Sequence, residues 1–191
     1  MQTPLLWKPI RKCLLLKATM EDRKKVLRFL LVMGLCYALL SGLHEWLKTT
    51  AFLSQLDLMT YAVSQLANFF FQPFSQSSGV FPLWEGYLLS VEGRALAYVG
   101  YTCNGWGVTI SFLSLMSPLF PELGFRKWIS KVLLGVCTIL VINGLRVFLL
   151  GLLYKSHPEL VEFNHKFTFT VIVYGAILLY YYRIIRRMPL F

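Results

Sequence analysis

Metal-binding spacing is what this chain lacks most plainly. It holds four cysteines and three histidines in 191 residues. None of them forms a Cys-x-x-Cys pair or a cysteine–histidine set at ligand spacing, so no metal and no cofactor is expected. Internal repeats and low-complexity tracts are missing as well. The first residues do not pair a short apolar core with a small-residue cleavage site, so a secretory signal is not expected there. Acidic residues are scarce, 9 against 19 Lys and Arg, giving a net charge of +10. That excess does not imply nucleic acid, because of where it lies. Eight basic residues precede Phe29, three sit in "RKWISK" at 126–131, and three close the chain in "RIIRR" at 183–187. Basic clusters flanking apolar runs follow the positive-inside pattern of membrane proteins, and no basic patch that could track a nucleic-acid backbone is left over.

What the chain has in abundance is apolar surface. Hydrophobic residues make up 57% and aromatics 16%, well above a soluble domain's usual share. The mean hydropathy is +0.59. The length fits one domain. The fold class read from this is an all-α polytopic membrane protein with about four transmembrane helices, one amphipathic interfacial helix and an outer loop. A basic cytoplasmic segment covers 1–25. Spans are expected at 26–43, 105–120, 129–154 and 167–182, the second being short for a bilayer core of about 30 Å.

Residues 51–71 differ from these spans. Phe52, Leu56, Met59, Val63, Leu66 and Phe70 recur every three or four positions with polar residues between them. That spacing predicts an amphipathic helix, fit for a membrane surface or for partner helices. If it does not cross, fourteen Lys and Arg fall inside and four outside (Lys48, Arg94, Lys155, Lys166), with Arg146 alone in the membrane. A crossing would carry both later basic clusters outside. The four-span arrangement therefore places both termini in the cytoplasm and the 72–104 loop outside, with short extended pieces at "GYLLSV" and "RALAYV".

Three residues stand out on the outer side. Cys103 opens the second span in "YTCNGWGV"; Cys13 is cytoplasmic, and Cys36 and Cys137 lie within spans, so Cys103 has no internal disulfide partner. A packed interface cysteine is one reading. A nucleophile is the other: a helix N-terminus favours the thiolate, and Gly105 and Gly107 would leave backbone N–H groups open to a substrate carbonyl. Arg146 lies within the third span about 12 Å from its outer end at 1.5 Å per residue. A charge at that depth is expensive and usually functional, the bland reading being an arginine that ties helices together. Asn143 shares its helical face. His165 stands at the entrance of the last span, where Asn164 is expected to cap the helix and the imidazole to stay neutral. His157 is the alternative histidine, in a loop with acidic neighbours, and His44 ends the first span. A thiol needs a base and an oxyanion donor, and this set supplies both.

At these residues the sequence resembles the exosortase/archaeosortase family of membrane cysteine transpeptidases. The resemblance rests on "CNG" at 103–105, on "NGLRV" at 143–147, and on His165 before a final span, and it covers roughly residues 86–182. It implies that Cys103 attacks a peptide bond near a C-terminal sorting signal of secreted proteins, which consists of a short motif, a transmembrane helix and a basic tail. It implies Arg146 and His165 as oxyanion or positioning group and as base, with Asn104, Gly105 and Asn143 positioning, and an inner-membrane location with the active site extracytoplasmic. The chain departs from the family in its short length, in Thr102 where an acidic residue often precedes the cysteine, and in Trp106. A non-catalytic assembly factor that binds a partner through residues 51–102 is the competing reading; a transporter fits four spans and one buried charge poorly.

Overall fold

The computed structural model describes residues 20–49, 58–75, 77–83, 86–100 and 104–186. The basic stretch 1–19, residues 51–57 of the expected amphipathic helix, and Cys103 itself lie outside the described residues. Helix α1 spans Met20–Thr49 and α2 spans Leu58–Phe71. Three strands follow, β1 at Ser78–Leu83, β2 at Gly86–Val91 and β3 at Arg94–Gly100. Helix α3 covers Trp106–Met116 and continues through a 3-10 turn at Ser117–Leu119 into α4, Phe120–Leu123. Helix α5 runs Phe125–Ser156. A 3-10 turn at Pro158–Leu160, α6 at Val161–Phe163, a π turn at Asn164–Thr168 and α7 at Phe169–Ile185 then follow without a break.

Among the described residues, three helical stretches are long and apolar enough to cross a membrane, namely 23–49, 125–156 and 158–185. The chain is a predominantly helical membrane protein. The stretch from Trp106 is shorter as an α-helix, because Ser117-Pro118 tightens it into 3-10 geometry. The Trp128 indole N–H donates to the Met116 carbonyl at 2.8 Å, satisfying an acceptor that the turn would otherwise strand.

Two apolar clusters hold the bundle. One contains Phe112, Met116, Val132, Ile139, Val173 and Ile177, joining α3, α5 and α7. The other contains Val63, Ala67, Phe71, Leu89, Val99, Val147 and Phe148, joining α2, the sheet and α5. Helix α2 lies along α5 in the same direction, with Leu66 at Gly144 and Phe71 at Gly151. A Cβ on Gly144 would come within 2.6 Å of the Leu66 Cβ, and one on Gly151 within 2.9 Å of the Phe71 ring. The two backbones approach because those positions carry no side chain, the small-residue packing that lipid-embedded helices favour. The stripe that α2 buries is Met59, Thr60, Val63, Ser64, Ala67 and Phe71. It keeps Met59 and Val63 of the expected stripe, leaves Leu66 and Phe70 half-buried, and adds the small and polar Thr60, Ser64 and Ala67.

The sheet is antiparallel in the order β1-β2-β3. Its two later strands coincide with the expected extended pieces. Strand β1 contains Pro82, which is tolerated because β1 is an edge. Glu92 and Gly93 both have positive φ, 55° and 73°, closing a two-residue hairpin between β2 and β3. Leu89 and Val99 face the helices and are fully buried.

Candidate active site

Helix α5 is the frame of the site. Asn143 and Arg146 are one turn apart on it, about 4.5 Å along the axis. Asn143 is wholly buried, its Nδ2 donating to the Ile139 carbonyl at 3.0 Å. Its Oδ1 has no hydrogen-bond partner among the described residues. The amide lies against Gly105, where any Cβ would collide with Asn143 Nδ2. Gly105 also has φ 84°, so glycine is required there by conformation and by space.

Asn104 completes the turn. It is buried, its Nδ2 donates to Thr60 Oγ1 on α2 at 2.9 Å, and its Oδ1 accepts the N–H of Trp106, the first residue of α3, at 3.0 Å. The turn that follows Cys103 is thus bolted to α2 by Asn104 and seated on α5 by Gly105. Thr60, Ser64, Asn104, Thr109 and Asn143 are all buried, making a polar layer in an otherwise apolar bundle. Oxygens of Ser64, Thr109 and Asn143 lack partners among the described residues. Such groups cost free energy in a bilayer and mark function more often than packing.

The other end of the same helical turn reaches the last helix. Arg146 Nη2 donates to the backbone carbonyl of His165 at 3.2 Å. That carbonyl is available for a local reason. In the π turn the N–H of Phe169 reaches back five residues to Asn164 rather than four to His165. π turns of this kind concentrate at functional positions. The expected Asn164 cap is corrected here. The helix starts at Pro158, Asn164 sits inside it with helical dihedrals, and its side-chain amide donates to Leu160 O at 2.9 Å. Proline at the first turn is a sufficient start signal, so the sequence reading placed the beginning two turns late.

His165 is half-buried, whereas His157 is exposed at the break before Pro158, with its Nδ1 3.3 Å from Glu159 Oε1. The guanidinium therefore meets the segment of His165. Sequence reasoning gave His44 no part, yet its ring lies 5.0 Å from that of Trp106, against the start of α3. Only the pairing of a histidine and a tryptophan near two helix ends hinted at it. Gly107 has open space around it. Among the described residues no group of three His, Cys, Asp or Glu could hold a metal ion.

Chemically, the arrangement fixes the segment after Cys103 on one end of an α5 turn and the segment of His165 on the other. A guanidinium and a buried amide point from that turn in a low-dielectric setting, where each hydrogen bond to a developing negative charge carries more weight than in water. Against known proteins, the model of the transmembrane exosortase family matches residues 13–182. Comparison with curated proteins and with solved structures finds no match.

Proposed function

The chain belongs to the transmembrane exosortase family, and from that premise we propose that it is a membrane cysteine transpeptidase or protease that removes a C-terminal sorting signal through a thioester on Cys103. The carrying observation is the α5 turn that seats Gly105 on Asn143 and holds the His165 segment with Arg146. It ties the neighbourhoods of all three residues to one rigid element.

The reaction runs in two balanced halves. The Cys103 thiol gives its proton to His165 and the sulfur attacks the scissile carbonyl. Arg146 holds the resulting oxyanion. Collapse breaks the C–N bond, the departing amine takes the proton back from His165, and a thioester remains. An amine acceptor, or water, then gives a proton to His165 and attacks that thioester; the C–S bond breaks, and the departing sulfur takes the proton from His165 to restore the thiol. The substrate is a secreted protein whose C-terminal signal combines a short motif, a membrane helix and a basic tail. Both termini lie in the cytoplasm and the site is extracytoplasmic, in agreement with the distribution of Lys and Arg.

Replacing Cys103 by Ala and by Ser in the host, followed by mass spectrometry of secreted-protein C-termini, tests the reading. C-terminal trimming that vanishes in both variants supports it; trimming unchanged from wild type overturns it in favour of a scaffold. A membrane-impermeant thiol reagent on intact cells should label Cys103.

A second reading of the base rests on the His44–Trp106 contact. His44→Phe keeps a ring against Trp106. Full trimming in that variant leaves the role with His165, and lost trimming transfers it.

A further inference from the structure

The two edges of the sheet are not equivalent. On β1, Pro82 pairs with Tyr87 and cannot donate, so its nitrogen faces outward. Tyr87 therefore spends its backbone bonds on Val99 in β3. Counting from the hairpin gives the same answer. Val91 and Arg94 close the two-residue turn as a bonded pair, alternate residues of β2 follow, and a register shift between Leu89 and Ser90 gives β3 one extra residue before Ala97. Both routes leave the N–H and C=O of Tyr98 directed away from β2, along the free edge of β3. Among the described residues no backbone group takes them. The edge bears no proline, and Tyr98 is half exposed. Phe81, Leu88 and Tyr98 stand in register across the three strands, extending an apolar row up to that edge.

We infer that the free edge of β3 is the docking site for the extended polypeptide segment of the substrate that enters the reaction, which pairs with Tyr98 as a fourth strand. The inference rests on the proposed thioester chemistry. Position supports it. Gly100 ends β3 three residues before Cys103, so chain reach holds the sulfur-bearing residue within about 11 Å of the strand end. A peptide laid along β3 has its main chain delivered to that point whatever its side chains are. Strand addition takes affinity from main-chain bonds and leaves side chains to set preference. Pro82 blocks the equivalent donor on β1, so the two edges offer a peptide different terms.

The test uses the full-length chain in its host. Secreted C-termini are compared between wild type, Cys103→Ala, Tyr98→Pro and, on the opposite edge, Ser78→Pro. Proline at Tyr98 removes the outward donor and leaves the β2 ladder unused by it. Trimming should fall about tenfold or more in Tyr98→Pro, the factor expected of one lost main-chain bond and its neighbours, and by less than about twofold in Ser78→Pro. No change in Cys103→Ala sinks the chemistry, and this inference with it. Trimming lost in Cys103→Ala but normal in Tyr98→Pro sinks the docking edge alone. Because Tyr98→Pro can also misfold, a second measurement is made on the purified Cys103→Ala chain. A synthetic peptide spanning the trimmed sequence found in the first arm is added, and amide hydrogen exchange is followed. Slowed exchange at Tyr98 with β1 unchanged supports docking; slowing at β1 instead, or at neither strand, overturns it.

Discussion

Helices α1 and α5 are alike in length and apolarity, and they do opposite things. Helix α1 shows Val26, Leu27, Leu31, Leu35, Leu39 and Leu43 on its surface, and it joins the bundle along α3 and through the His44–Trp106 contact. No part of its most apolar window is buried, against 39% for α5. Exposed apolar side chains of this kind suit a helix face turned to lipid. Helix α5 instead buries three glycines, an asparagine and half an arginine. In a bilayer apolarity does not distinguish inside from outside, so contacts between helices are made where side chains are small or polar. Function follows the second kind of helix.

The sharpest way to break this contrast is to remove the charge from α5. Under the proposed oxyanion role, Arg146→Gln should lower trimming about 100- to 1,000-fold. Arg146→Lys should not restore it, because a point charge cannot reproduce the planar fork. The rate of product appearance in membranes checks both. Next comes the backbone. Gly105→Ala forces a left-handed residue and a clash with Asn143, and should cost about 1–3 kcal/mol, read as a lower thermal midpoint in detergent. Asn143→Leu separates position from stability. Its Oδ1 is unsatisfied, so an apolar side chain of similar shape should leave stability within about 1 kcal/mol. Trimming should nonetheless fall about tenfold as the Gly105 turn loses its seat. A parallel fall in stability and activity would reduce Asn143 to packing. The smallest effect belongs to α1, where Leu31→Ala and Leu35→Ala should each change stability by no more than about 0.5 kcal/mol. A larger loss at either would mean that α1 is a structural equal of α5.

Cys103, Arg146 and His165 were singled out in the sequence because each lies beside or within a different apolar run and an arginine among leucines is conspicuous; of the three, the described residues bring together Arg146 and the backbone of His165. The membrane character and the two strands "GYLLSV" and "RALAYV" were legible for similar reasons of composition and alternation. Strand β1 was not, since Pro82 reads as a loop residue unless the edge is known. On α2 the expected Met59 and Val63 are buried, with Leu66 and Phe70 half-buried beside them, whereas hydrophobicity could not announce that Thr60, Ser64 and Ala67 are buried as well. Nothing in "EFNHKFTF" announces a π turn. That feature depends on where a carbonyl finds its donor, and the donor here is 19 residues earlier.

One residue of extra winding in the last helix has a geometric consequence. Each residue of an α-helix turns the chain by about 100°, so absorbing one within Asn164–Thr168 re-phases everything N-terminal to it relative to everything C-terminal to it. Below it, Val173 and Ile177 keep their address in the apolar cluster. On its N-terminal side the turns from Pro158 follow a different azimuth, and deleting that single residue would swing them round relative to the part of the helix that packs in the cluster.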